Sequence, residues 1–116
     1  MAIHKELNVW KKSMQLVTLI YQYTKTFPKE ELYGLASQMR RAAVSIPSNI
    51  AEGYGRISDK ELLHFLYIAL GSSSELETQI IIANNLTFLA EAEHKQLLEL
   101  NEEIIRMLTS LIKTKK

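Results

Sequence analysis

Cysteine is absent from the chain, which excludes disulfides, thiolate metal sites and cysteine nucleophiles together. That absence fits a reducing compartment, and the expected location is cytoplasmic. Only two prolines and four glycines occur in 116 residues. No alternating run of Val, Ile and Thr is bounded by turn residues, so β-strands have little to start from. Nowhere do about 18 uncharged apolar residues follow one another, and the opening MAIHKELNVW has no apolar run behind Lys5. Neither a membrane span nor a signal peptide is expected. A large charge excess is missing too: 14 basic and 13 acidic side chains leave +1, too little by itself to announce a nucleic-acid protein.

What is present is a globular composition, 47% apolar and 23% charged, in a length that suits one domain. The charge is unevenly placed. Residues 1–56 carry 8 basic and 4 acidic side chains, and residues 57–116 carry 6 and 9. Such asymmetry steers a polyanion to one face, or reflects solvated surfaces that attract one another within the molecule.

Apolar spacing predicts four helices, over about 8–26, 29–53, 58–84 and 90–114. The first opens at Asn8 as N-cap and stops at Phe27-Pro28, because the residue before proline is pushed out of the α region. Its inner face reads Trp10, Met14, Val17, Tyr21 and Thr24, widened by Ser13, Leu16, Ile20, Tyr23 and Phe27. The second starts at Pro28-Lys29-Glu30-Glu31 and places Leu32, Leu35, Met39, Ala42, Ala43, Ile46 and Ile50 on one face. Pro47 lies inside that pattern without breaking its phase, so one helix kinked at Pro47 is expected.

Ser58-Asp59-Lys60-Glu61 fits a capping box and opens the third helix. Its core series is Leu62, Phe65, Leu66, Ala69, Ser73, Leu76, Ile80 and Ala83, and Gly71-Ser72-Ser73-Ser74 in its middle lets another backbone come close. The fourth carries Leu97, Leu100, Ile104, Met107 and Leu111 at heptad spacing; Ala90 stands where a serine-type cap is expected, so this helix start is expected to fray. Short loops make each helix return beside its predecessor, giving an all-α, antiparallel up-down-up-down four-helix bundle.

The third helix has more apolar surface than one bundle face uses. Leu63, Tyr67, Leu70 and Ile81 form a second series about 100° around from the first. Leu98, Ile105 and Ile112 do the same beside the fourth helix's seam. Regular apolar phasing outside a core marks an interaction surface, and a homo-oligomer is expected.

Two Glu-x-x-His pairs, Glu61/His64 and Glu91/His94, suggest a di-metal bundle enzyme, the alternative reading. Both open consecutive antiparallel helices and so fall at opposite ends of the bundle. No metal, no cofactor and no catalysis are therefore expected. Gly53-x-Gly55 follows a helix where a phosphate loop needs a strand, and reads as a turn. On the second helix Gln38, Arg41, Ser45, Asn49 and Glu52 form a polar stripe beside the apolar face. Its structural reading is an Arg41–Glu52 pairing that fixes how neighbouring helices or subunits register, and its functional reading is a ligand or nucleic-acid contact.

Several segments carry a resemblance: Val9-Trp10-Lys11, then Phe27-Pro28 with Glu31-Leu32-Tyr33-Gly34-Leu35, then the long run from Gln38 to Gly53, with Gly71-Ser72 and Glu75-Leu76-Glu77 later. Over nearly its whole length the chain resembles the bacterial four-helix-bundle family named for proteins encoded by 23S rRNA intervening sequences. The resemblance implies a ring-like homopentamer. It also implies kinship with the accessory variability determinant proteins of diversity-generating retroelements, which bind nucleic acid and a reverse transcriptase. Those accessory proteins are strongly basic, and the +1 charge here departs from them. The candidate nucleic-acid contacts, for rRNA or another polyanion, are Lys11, Lys12, Lys25, Lys29, Arg40, Arg41 and Arg56. The expected function is a non-catalytic homo-oligomeric interaction protein whose candidate partner is RNA or a ribonucleoprotein.

Overall fold

A computed structural model of the protein describes residues 3–116. A short 3-10 turn, Ile3–Glu6, leads into α1 (Asn8–Thr24); a second, Lys29–Glu31, precedes α2 (Leu35–Tyr54); α3 (Asp59–Asn85) and α4 (Glu91–Lys115) complete the chain. Each helix packs on its sequence neighbours and α1 closes against α4, which is the up-down-up-down bundle.

Two expectations at helix starts need correction. Leu7, not Asn8, is the N-cap of α1, and it makes no side-chain cap bond. The second helix begins at Leu35 instead of residue 29, after Gly34 with φ −108° and ψ −113°, which is not helical backbone. Leu32 is therefore outside the helix and 47% exposed. The Glu31 carboxylate accepts the Leu35 N–H at 3.1 Å and satisfies one of the free donors at this helix start. From Leu35 the helix runs unbroken through a buried Pro47.

At α3 the serine half of the capping box forms: Ser58 Oγ accepts the Glu61 N–H at 3.2 Å, while the Glu61 carboxylate meets the Ser58 hydroxyl at 3.3 Å instead of the Ser58 backbone N–H. At α4 only half of the device exists. Ala90 offers no acceptor, but Glu93 reaches back to the Ala90 N–H at 3.0 Å, so the expected fraying at this end is opposed.

The core uses Leu16, Ile20, Met39, Ile46, Ile50, Leu66, Leu76, Ile80, Leu97, Ile104 and Leu108, all fully buried. The α3 series is as expected, apart from Phe65, which is only half-buried. In α1 the buried line is Val9, Ser13, Leu16, Ile20 and Thr24; Met14 and Tyr21, read as inner, are exposed. In α4 it is Leu97, Asn101, Ile104, Leu108 and Ile112, while Leu100, Met107 and Leu111 are half-buried at its side. Both helices are rotated by about one residue from the expected face. Each carries two overlapping apolar phases, and the buried phase is the one interrupted by small polar residues that find partners.

Asn101 is the clearest case. Its Oδ1 accepts from Ser73 Oγ at 2.6 Å and its Nδ2 donates to the Ser73 carbonyl at 2.9 Å, all inside the core. Asn101→Leu strands the Ser73 hydroxyl and is expected to destabilise by about 1–3 kcal/mol, whereas the double variant Ser73→Ala/Asn101→Leu recovers most of that loss. Urea midpoints of the two variants check this. A double variant no more stable than the single one contradicts it.

Gly53 explains how α2 and α3 come so close. A Cβ at this position would lie 2.9 Å from Leu62 Cδ1 and 3.3 Å from the Leu62 carbonyl oxygen, which belongs to the backbone of the facing helix.

Candidate functional site

Three surfaces collect the residues singled out from sequence. The first is the seam between α2 and α3. Ser45 Oγ lies 2.8 Å from Ser72 Oγ, and the Asn49 amide donates to the Ser45 hydroxyl at 2.9 Å and to its carbonyl at 2.7 Å. The Ser45–Ser72 pair links α2 to α3, and Asn49 braces Ser45 from within α2. The expected Arg41–Glu52 pairing does not form. Glu52 binds Arg56 one turn on, at 2.6 Å, because side chains four apart on a helix meet while residues eleven apart do not. Arg41 and Gln38 remain exposed on the flank. Sequence reasoning missed Gln79, 5% exposed, whose Nε2 donates to Glu75 Oε2 at 3.2 Å while its Oε1 has no partner. At the foot of the seam, burial and, behind it, the Asp59 carboxylate push the Tyr54 phenol above its usual range.

The second surface is the outside of α3. Of the expected outer series, Leu63 and Leu70 are half-buried and pack against the subunit's own core, so that part of the stripe is already covered. Tyr67 and Ile81 are 47% and 43% exposed, and Ile68 and Ile82 stand open beside them. Gly71, Ser74, Glu75 and Thr78 lie between these two apolar pairs, all exposed. In α4, Ile112 belongs to the core and Leu98 packs against it, which leaves the half-buried Ile105 of that second series.

The third surface is the groove between α1 and α2, lined by His4, Trp10, Met14, Val17, Val44 and Pro47. His4 stands edge-on to Trp10 with ring centroids 5.4 Å apart. Above it the Arg40 guanidinium lies 4.7 Å over the Tyr21 ring and donates to Thr24 Oγ1 at 2.9 Å. Of the α1 residues that sequence spacing assigned to the core, Trp10, Met14 and Val17 therefore line a surface groove, Trp10 and Val17 while also packing on the core.

The seven basic candidates do not form one patch. Lys12 pairs with Glu103 at 3.4 Å across α1 and α4, and Arg56 pairs with Glu52 while its guanidinium covers Phe65. Lys25, Lys29 and Arg40 share the end of the bundle where α1 gives way to α2; Lys11 stands at the other end of α1 and Arg41 on the α2 flank. The two Glu-x-x-His pairs open α3 and α4 at opposite ends, separated by the roughly 40 Å of a 27-residue helix. Among the described residues no cluster of three metal-ligating side chains exists, and no helix is long and apolar enough to cross a membrane.

Comparison with known proteins now bears on this arrangement. The family described as 23S rRNA-intervening sequence protein matches residues 5–110. The chain belongs to that family. Among solved structures it is similar to a protein of unknown function from the S23 ribosomal protein family of Bacteroides thetaiotaomicron. The TM-score is 0.82 at 23% identity, over 90% of this chain and 95% of the other. At that identity the likeness shows the fold alone, and it is the same bundle. No match is found among curated proteins. Family membership covers the Gln38–Gly53 run, and the structure shows what much of that run does: Met39, Ala42, Ala43, Ile46 and Ile50 fill the core, Ser45, braced by Asn49, meets Ser72 of α3, and Gly53 admits α3.

Proposed function

We propose that this 23S rRNA-intervening sequence family protein is a non-catalytic homo-oligomeric interaction protein, assembled as a ring of the pentameric kind, whose partner is RNA or a ribonucleoprotein. The observation that carries the assembly is the composition of α3. Its inner side buries Leu62, Leu66, Ala69, Leu76, Ile80 and Ala83, and its outer side exposes Tyr67, Ile68, Ile81 and Ile82. Large apolar side chains exposed together on the far side of a helix that is already buried on its near side mark an interaction surface. A second copy supplies the remaining cover. Sedimentation at micromolar concentration is expected to show one discrete species of several subunits, and a single species of 13.3 kDa ends the reading.

For RNA, the support is the basic excess of the α1–α2 half. Among the described residues Lys11, Lys25 and Lys29 make no ion pair, whereas Lys12 and Arg56 do. One subunit offers too few such charges to hold a polyanion, but a ring repeats them and linked weak interactions multiply. Binding is expected to be sequence-tolerant and steeply salt-dependent. Replacing Lys11, Lys25 and Lys29 with glutamine should flatten the salt slope by about 0.9 for each phosphate that the ring no longer neutralises, leaving the bundle folded. Absence of any retention of structured rRNA fragments at about 50 mM salt, a condition that favours phosphate binding, removes RNA from the proposal.

A further inference from the structure

Gly71 is unexplained by the subunit itself. A glycine inside an exposed helix destabilises it relative to alanine, and the usual compensation is a neighbouring backbone that needs the space. Gly53 has such a neighbour. At Gly71 a Cβ would meet nothing within 4 Å. The space above Gly71 is therefore open, framed by Tyr67 and Ile68 on one side and Ile81 and Ile82 on the other, with Ser74 and Thr78 as small floor residues.

A second apolar surface lies open in the α1–α2 groove. Its walls are Trp10, Met14, Val17, Val44 and Pro47, and Met14 and Val44 are exposed in it. Charge agrees with shape. Between Asn8 and Thr24 there is no carboxylate, and the one carboxylate of α2, Glu52, is engaged by Arg56. Arg40 stands over the upper end of the groove, held by Tyr21 and Thr24. The α3 face carries the carboxylate of Glu75, spaced one heptad from both Ile68 and Ile82.

The two surfaces also lie at the same height. Ser45 meets Ser72 across the seam, so one step along each antiparallel helix puts Val44 level with Ser73, beside Ser74. By the same count Arg40 is level with Glu77, and Glu75 is about 3 Å away along the axis. Different patches that meet at equal height repeat by rotation without climbing, the condition a closed ring requires in addition to a rotation that divides a full turn; a height difference would make a filament.

We propose that the outer face of α3 docks in the α1–α2 groove of a second copy of this chain, each copy giving one surface and receiving the other. Gly71 then sits where the incoming helix approaches Val44 and Pro47, and Glu75 comes to Arg40. This rests on the homo-oligomer reading above and specifies its interface.

Because the chain has no cysteine, paired cysteines report the interface directly. A variant with both Val44→Cys and Ser74→Cys is expected to give, on oxidation, a ladder of covalent multimers, while either single variant stays at one subunit on a denaturing gel. Gly71→Gln adds a better helix former to an open position, so the subunit is expected to keep its helical signal. Assembly of that variant should weaken by roughly tenfold or more, since the inserted side chain overfills the interface. Self-cross-linking of Ser74→Cys alone would show a like-with-like α3 pairing and overturn the proposal. So would a double-cysteine variant with no ladder, or a Gly71→Gln protein that assembles as tightly as the unmodified chain, and in either case the oligomer reading survives. If the unmodified chain is a monomer, that reading fails and this inference with it.

Discussion

Leu66→Asp is expected to abolish the fold. Leu66 sits on the inner face of α3 with none of its surface exposed, among Leu62, Ala69 and the facing core side chains. The buried hydroxyls of the core are already committed, Ser73 to Asn101 and Thr24 to the Ile20 carbonyl, and the unpartnered Gln79 Oε1 is an acceptor that cannot pair with a carboxylate. An unpaired charge in that setting costs several kcal/mol, comparable with the whole stability of a small domain, and the lost leucine adds about 2–5 kcal/mol more. Circular dichroism at neutral pH should show loss of helix. Retention of a cooperative thermal transition near that of the unmodified protein would mean that α3 does not face the core as described.

The same substitution on the other side of the same helix should behave differently. Tyr67→Asp with Ile81→Asp places two charges on positions that are nearly half exposed in the subunit, where hydration is retained. The bundle should therefore stay helical. In the assembly proposed above both positions are covered, so the charges are buried at every repeated interface and the particle is expected to fall to single subunits. Leu70 is the wrong residue for this purpose although it belongs to the same sequence series, because it packs against the subunit's own core and its loss confuses folding with assembly. A double variant that keeps the particle mass of the unmodified protein contradicts this assignment of the surface.

The two inner helices were more legible in sequence than the two outer ones, and the reason is local. In α3 the buried positions are mostly leucine, isoleucine and alanine at regular spacing, opened by a Ser58 cap on the Glu61 N–H. From Leu35 onward α2 is similar, and its proline keeps the phase. In α1 and α4 the apolar residues fill two adjacent phases, and size alone favours the one with Trp10, Met14 and Tyr21, or Leu100, Met107 and Leu111. The chain instead buries the phase that includes Ser13 and Asn101, because each finds a hydrogen-bond partner: the Trp10 carbonyl within α1, and Ser73 across the core. Asn101 lies at three- and four-residue spacing between Leu97, Ile104 and Leu108, and that in-phase polar residue was the available signal.

The start of α2 was misplaced for a different reason. Pro28 and the two acids after it suit a helix N-terminus, and they do form one turn, but Gly34 leaves helical backbone and the helix restarts at Leu35. The polar stripe on α2 showed its position but not its partners. Ser45 meets Ser72 only through the register that Gly53 permits, a long-range consequence that spacing within one helix does not contain.

A helix buried on one side by its own subunit and on the other by a second copy is the centre of this account, and particle mass tests it most directly. Light scattering of the unmodified protein at micromolar concentration should give a mass several times 13.3 kDa, and the Tyr67→Asp/Ile81→Asp protein should give 13.3 kDa with its helical signal intact. A mass of 13.3 kDa for the unmodified chain contradicts the account.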